Sequence, residues 1–197
     1  MNAHWSRLFP PRILSILILA FAVGTAAAAH AAITSYAVNL NGPSESPPNA
    51  SPGTGTGQVD VDPVAHTMRV RVTFSGLIGT TTASHIHAPT LVALTGTAGV
   101  ATTTPTFAGF PLGVTAGSYD NTLDMTMLSS YNGAYVTANG GTAASAEAAL
   151  FQAIADGKAY LNIHSSQFSG GEIRGFLVPQ PTPTVSTTWG RLRSLYR

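Results

Sequence analysis

The sequence predicts an all-β protein made of antiparallel strands. Short segments alternate apolar and polar side chains, which is typical of half-buried strands. Turn-forming Gly, Pro, Asn and Asp residues separate these segments, and only 9% of the chain is charged. Many short strands with turn signals and one inserted helix favour a β-sandwich or a related pair of Greek-key sheets.

The N-terminal 31 residues have the organisation of a secretory signal peptide. Arg7 and Arg12 provide the positive start, residues 13–23 are almost entirely apolar, and small residues precede Ala32. An uncleaved membrane anchor is the alternative, although the apolar run is shorter than the ~20 residues of a spanning helix. We therefore expect export to the periplasm, the cell surface or the medium, with no stable membrane span after cleavage.

Residues 32–178 are predicted to form one domain, a length usual for a single core. Up to residue 178 this part has four Lys/Arg against eight Asp/Glu, a net charge of −4. Nucleic-acid binding requires a basic surface, so this function is not expected. The chain has no cysteine, and its stability must come from the apolar core or from bound metal.

Eight segments have the pattern of a strand. The clearest is 68–74, where Met68, Val70, Val72 and Phe74 share one face. One helix is predicted between a cap at Thr142 or Ser145 and a stop at Gly157, and 41–57 and 91–104 are predicted loops. The strand segments are 33–40, 58–62, 68–74, 84–88, 106–114, 118–127, 159–165 and 172–178.

Residues 179–197 are predicted to be a flexible tail rich in Pro and Thr. Its start at Val178-Pro179-Gln180-Pro181, together with Trp189 and the closing arginines, resembles a bacterial PEP-CTERM sorting signal. The membrane helix of such signals is missing here. A plain disordered tail is the alternative interpretation.

Histidine marks the candidate site. His85 and His87 are separated by one residue on a predicted strand, so their side chains project from the same face. His164 lies on another predicted strand, and the three imidazoles converge if the two strands are neighbours. Three neutral imidazoles suit copper or zinc. The sequence therefore predicts a metal site at His85, His87 and His164.

A structural role for the same histidines is the alternative. Their rings could bond to the backbone or to Glu172 and join two strands, while Asn162, Glu172 or Ser84 could orient them around a metal. Glu172 and Arg174 are expected to form an ion pair on one strand face. His66, in a hairpin turn, is expected to be exposed to solvent and away from the other three. A serine hydrolase is not expected, because no Gly-x-Ser-x-Gly elbow is present.

Several motifs together resemble the CHRD (chordin-type) domain in their order, over about residues 34–178. Two are specific in combination, namely His85-Ile86-His87 and the Gly-Gly-Glu-Ile-Arg-Gly run at 170–175. Ala88-Pro89 departs from the family, in which a Gly often follows the histidine pair. The other matching segments are Asn39-Leu40-Asn41-Gly42 with Glu45, Pro47 and Pro48, Gly55 to Gly57, 70–77 and 159–165.

The resemblance implies an all-β, immunoglobulin-like or superoxide-dismutase-like sandwich in an extracellular setting. In chordin such domains belong to a protein that binds growth factors. The His-x-His strand also looks like the copper-ligand strand of Cu/Zn superoxide dismutases, but this chain has too few histidines for a two-metal centre. We expect an exported, non-catalytic binding or matrix module with an extracellular ligand or protein partner. The alternative is a copper- or zinc-binding protein for sequestration, delivery or redox work.

Overall fold

The structure, a computed structural model, describes residues 33–181. The predicted signal peptide and most of the predicted tail lie outside these residues. Eight strands and two helices follow in chain order: β1 Thr34–Asn41, β2 Thr54–Asp62, β3 Thr67–Ser75, β4 Thr81–His87, β5 Gly117–Asp124, α1 Gly133–Ala138, α2 Ala143–Ala155, β6 Tyr160–Ser165, β7 Ile173–Phe176 and β8 Val178–Pro179. No helix among the described residues is long and apolar enough to span a membrane.

The strands pair antiparallel throughout, in the order β4-β6-β7-β1-β2-β3-β5, with β8 beside β1. Ile86 of β4 and Leu123 of β5, at opposite ends of this order, belong to the same buried cluster. The sheet therefore curls around one core, and the two layers expected of a sandwich are the two halves of one curled sheet. The predicted antiparallel all-β fold is confirmed.

The core forms where the alternating patterns predict it. Met68, Val70, Val72 and Phe74 of β3 are all buried, because alternate residues of a strand point to the same side. Helix α2 closes the core with Leu150 and Ile154. Thr142 caps this helix through the backbone N–H of Ser145.

The predicted strand 106–114 is wrong, because this segment is a loop that covers the core. Its two aromatic residues, Phe107 and Phe110, are buried by ring contacts instead of strand pairing. The ring of Phe110 stacks on Phe74 with centroids 5.6 Å apart, and Phe107 stacks on Tyr119 at 5.7 Å. Helix α1, only six residues long, was not predicted.

The predicted ion pair between Glu172 and Arg174 is also wrong. Glu172 is fully buried just before β7. Its carboxylate accepts hydrogen bonds from the Ser51 hydroxyl at 2.6 Å and from the backbone N–H groups of Ile78 and Gly79 at 2.6 and 3.2 Å. The side chain therefore points toward two loops and ties them to the β6–β7 turn. Arg174 lies instead beside Glu45.

Candidate metal centre

The register of β4 and β6 brings the three histidines to one face of the sheet. Ala83 pairs with His164, and His85 pairs with Asn162. Cross-strand partners share a face, so His164 lies diagonally across from His85. Ile86, between the two histidines of β4, points the other way into the core. The local alternation of polar and apolar residues thus places all three imidazoles together.

The rings are close enough to share one ion. The ring centroid of His85 lies 4.8 Å from that of His87 and 4.7 Å from that of His164. One ring nitrogen from each histidine lies within 4.8 Å of the others. Three nitrogens bound tetrahedrally at ~2.1 Å from one zinc ion lie about 3.4 Å apart. The nitrogens therefore have to approach one another by at most about 1.4 Å to bind the same ion.

Each ring has at least one buried nitrogen without a hydrogen-bond partner. Nδ1 of His87 lies 2.8 Å from the carbonyl oxygen of Ala98, and Nδ1 of His164 lies 2.8 Å from that of Ser169. A carbonyl only accepts, so these Nδ1 atoms carry the protons and the Nε2 atoms keep lone pairs. Both Nε2 atoms and Nδ1 of His85 are buried and unpartnered.

The surroundings keep the imidazoles neutral. Burial, followed by the charges of the other two histidines, lowers the pKa of His85 to about 3. Burial also lowers the pKa of His87 to about 4, although the hydrogen bond to Ala98 raises it, and burial lowers the pKa of His164. Neutral imidazole is the form that binds metal. At neutral pH the three imidazoles can therefore bind a metal ion without first losing a proton.

Tyr160 and Arg174 form a layer beside the histidines. The ring of Tyr160 stacks on His87 with centroids 4.7 Å apart, and the Arg174 guanidinium carbon lies 4.7 Å from the centroid of the Tyr160 ring. Arg174 Nε also donates to the carbonyl oxygen of Ser44. Arg174 and Tyr160 therefore fix the ring of His87 from the side of β7.

Glu45 extends this layer. Its carboxylate lies 3.8 Å from Arg174 Nε. Burial raises the pKa of Glu45 to about 7, although Arg174 and the backbone of Ser46 lower it. Oε1 of Glu45 and Oδ1 of Asn162 are both buried without a partner. Both atoms lie about 2.7 Å from where a side chain on Gly171 would begin, and Gly171 has a φ of +127°. Glycine is required at this position.

The rings of His87 and His164 bond to the backbone, which was one of the expected alternatives, and not to Ser84 or Glu172. Ser84 donates to the backbone carbonyl of Asn162 instead of to a ring, and Glu172 bonds to the loops described above. The ring protons of His87 and His164 go to backbone carbonyls at Ala98 and Ser169. Every residue has a carbonyl, so no sequence signal could have identified these two partners.

His66 is exposed to solvent, as predicted. It is about half exposed, with a side-chain exposure of 52%. Its Nδ1 lies 2.9 Å from Oε1 of Glu147, a buried residue of α2. Among the described residues, the metal-binding group contains only His85, His87 and His164. His66 is therefore outside the cluster, as expected.

Comparison with known proteins assigns most of the chain to one family model. The model of the CHRD domain matches residues 36–177. No curated protein and no solved structure gives a significant match.

Proposed function

This chain belongs to the CHRD domain family, and we propose that it is an exported, non-catalytic module that binds copper or zinc through His85, His87 and His164. At the level of the family it is a module of extracellular type. Metal binding gives this module a specific role, namely to sequester or deliver a metal ion outside the cytoplasm.

One observation carries the proposal. The three buried ring nitrogens without a partner belong to the same three side chains whose ring nitrogens lie within 4.8 Å of one another. A buried ring nitrogen without a hydrogen bond costs about 1–3 kcal/mol. Three such nitrogens in one cluster therefore destabilise the protein unless a ligand binds them. A metal ion satisfies all three together.

The donor set selects the class of metal. Imidazole nitrogen suits zinc and copper, whereas calcium and magnesium prefer oxygen ligands. The cluster offers three imidazoles and, among the described residues, no carboxylate or thiolate. The backbone carbonyls that hold His87 and His164 act as the outer partners that orient metal-bound imidazoles.

A titration of the metal-free protein tests the function. Addition of one equivalent of Cu(II) or Zn(II) should give saturable binding by calorimetry and raise the melting temperature. Free metal at 100 times the Kd stabilises the fold by about 2.7 kcal/mol. H85A and H164A should lose both effects, and the matched control H66A should keep them. Equal binding by H85A, H164A and the original protein would refute the proposal.

The second candidate is a module whose histidines are structural. The hydrogen bonds of His87 and His164 to Ala98 and Ser169 favour it, because they join β4 and β6 to two loops. The protein would then serve as a binding or matrix module for an extracellular ligand or protein. In that case His87→Ala should destabilise the fold and metal should have no effect on any variant.

Export is the remaining part of the proposal. It is supported by the charged and apolar pattern of the first 31 residues. Mass spectrometry of the protein recovered from the periplasm or the medium should show a new N-terminus near Ala32. Recovery of the full-length chain from the cytoplasm would contradict export.

A further inference from the structure

We infer that the metal ion held by His85, His87 and His164 binds a small exogenous anion at a fourth coordination position. This inference rests on the proposed metal function and names the ligand class that the same site accepts. It is carried by the number of donors, by the local charge and by the space around the cluster.

The number of donors leaves a position open. The metal-binding group among the described residues consists of three histidines. Zinc in proteins is generally bound by four ligands, and sites with three protein ligands take the fourth from solution. Asn162, the cross-strand partner of His85, has its side-chain amide against Gly171. The ligand that completes the site is therefore exogenous.

The local charge favours an anion over a neutral ligand. Three neutral imidazoles leave the charge of a divalent ion uncompensated, which is costly in a buried site. The positive guanidinium of Arg174 lies 4.7 Å from the centroid of the Tyr160 ring, which stacks on His87. Glu45, the nearby acid, lies 3.8 Å from Arg174 Nε, so this pair adds no net negative charge beside the cluster.

The space around the cluster limits the size of the anion. His85 and His87 are 6% and 9% exposed, whereas His164 is more accessible. An anion of a few atoms, such as azide or chloride, fits this setting better than a bulky one.

The test uses the full chain loaded with one equivalent of Cu(II) in chloride-free buffer. Azide should produce a saturable charge-transfer band with one azide per copper, together with a change in the copper EPR spectrum. Chloride should compete with azide. R174Q, compared at full copper loading, should bind azide about fivefold more weakly, the factor that ~1 kcal/mol of lost charge interaction gives. The matched control is R69Q, since Arg69 pairs with Asp120 on the exposed side of β3 and β5.

The possible outcomes separate this inference from the metal function. Failure of the original protein to bind copper would refute the metal function before azide is added. Copper binding with spectra that do not respond to azide, or release of copper by azide, would overturn the inference and leave the metal function in place. Equal azide affinity of folded R174Q and R69Q would overturn the role of local charge. Should R174Q fail to fold, the azide titration of the original protein decides alone.

Discussion

His87 and Tyr160 pair across β4 and β6 with their rings parallel within 5° and their centroids 4.7 Å apart. Both side chains also reach the carbonyl oxygen of Ala98, His87 through Nδ1 at 2.8 Å and Tyr160 through its hydroxyl at 3.3 Å. The loop at Ala98, the strand and the stacked ring all fix the imidazole of His87. Tyr160 is therefore a positioning residue for the proposed metal site.

Replacement of Tyr160 separates the contribution of its ring from that of its hydroxyl. Y160A should weaken Zn(II) or Cu(II) binding about tenfold, the lower end of the range for residues that orient metal ligands. Y160F retains the stacked ring and should change affinity less than about threefold. Competition with a chelator of known affinity measures both, after circular dichroism has shown that the variants fold. Equal losses in both variants would assign the effect to the hydroxyl.

The metal-free protein should lose stability as pH falls below about 6.5. The pKa values of His85 and His87 are about 3 and about 4 in the folded protein, whereas the unfolded chain takes up protons near pH 6.5. Between pH 6.5 and its pKa in the folded protein, each histidine therefore lowers the free energy of unfolding by up to ~1.4 kcal/mol for each unit by which the pH falls. Urea unfolding between pH 7 and pH 4, with a chelator present, measures the slope.

The same measurement on H85Q isolates one histidine. Its stability should fall less steeply than that of the original protein, because the unfolded chain gains one proton fewer. A saturating concentration of Zn(II) should oppose the loss at the upper end of the range. Parallel curves for the two proteins would show that His85 is not held neutral by burial.

The sequence predicts that the three histidines of the cluster come together, but it predicts only part of their surroundings. The His85-x-His87 spacing and the placement of His164 on a strand follow from strand periodicity. The pairing of β4 with β6 is non-local and has no signal in either segment alone. The same limit explains the loop at Phe107 and Phe110, whose apolar pattern matches that of a strand although its residues are buried by aromatic contacts.

The partners of polar side chains were harder to predict than the fold. Glu172 and Arg174 have opposite charges and alternate positions, which is typical of an ion pair on a strand. The carboxylate instead accepts hydrogen bonds from Ser51 and from the backbone at 78–79. Such contacts depend on the conformation of loops that are distant in the sequence, and the residues around Glu172 do not predict that conformation.

Glu45→Gln should remove a loss of stability that occurs as pH rises. The buried histidines have the opposite effect, since they lower stability as pH falls. The pKa of Glu45 is about 7 in the folded protein, above the unfolded value near 4.5. Its stabilising contribution is therefore present below pH 4.5 and is lost as pH rises to about 7. E45Q lacks this loss, so its stability relative to the original protein should increase by about 3 kcal/mol between pH 4.5 and pH 8.

Urea unfolding of both metal-free proteins at intervals across this range provides the comparison. The difference between the two curves removes the contribution of the other titratable groups, since these are shared. A constant difference would show that Glu45 keeps an ordinary pKa and that Arg174 offsets its burial.

Glu172→Gln should destabilise the fold more than any exposed carboxylate replacement. Burial raises the pKa of Glu172, but hydrogen bonds from Ser165, Ser51 and the backbone of Ile78 and Gly79 lower it overall, so the carboxylate is the form that the site holds. In E172Q an NH₂ group replaces one acceptor oxygen and faces donors, and the loss should be about 2–4 kcal/mol. The control D120N breaks an exposed pair and should cost at most ~1 kcal/mol. Chemical unfolding at pH 7 measures both, and similar losses would mean that the buried hydrogen bonds at Glu172 do not hold the two loops to the β6–β7 turn.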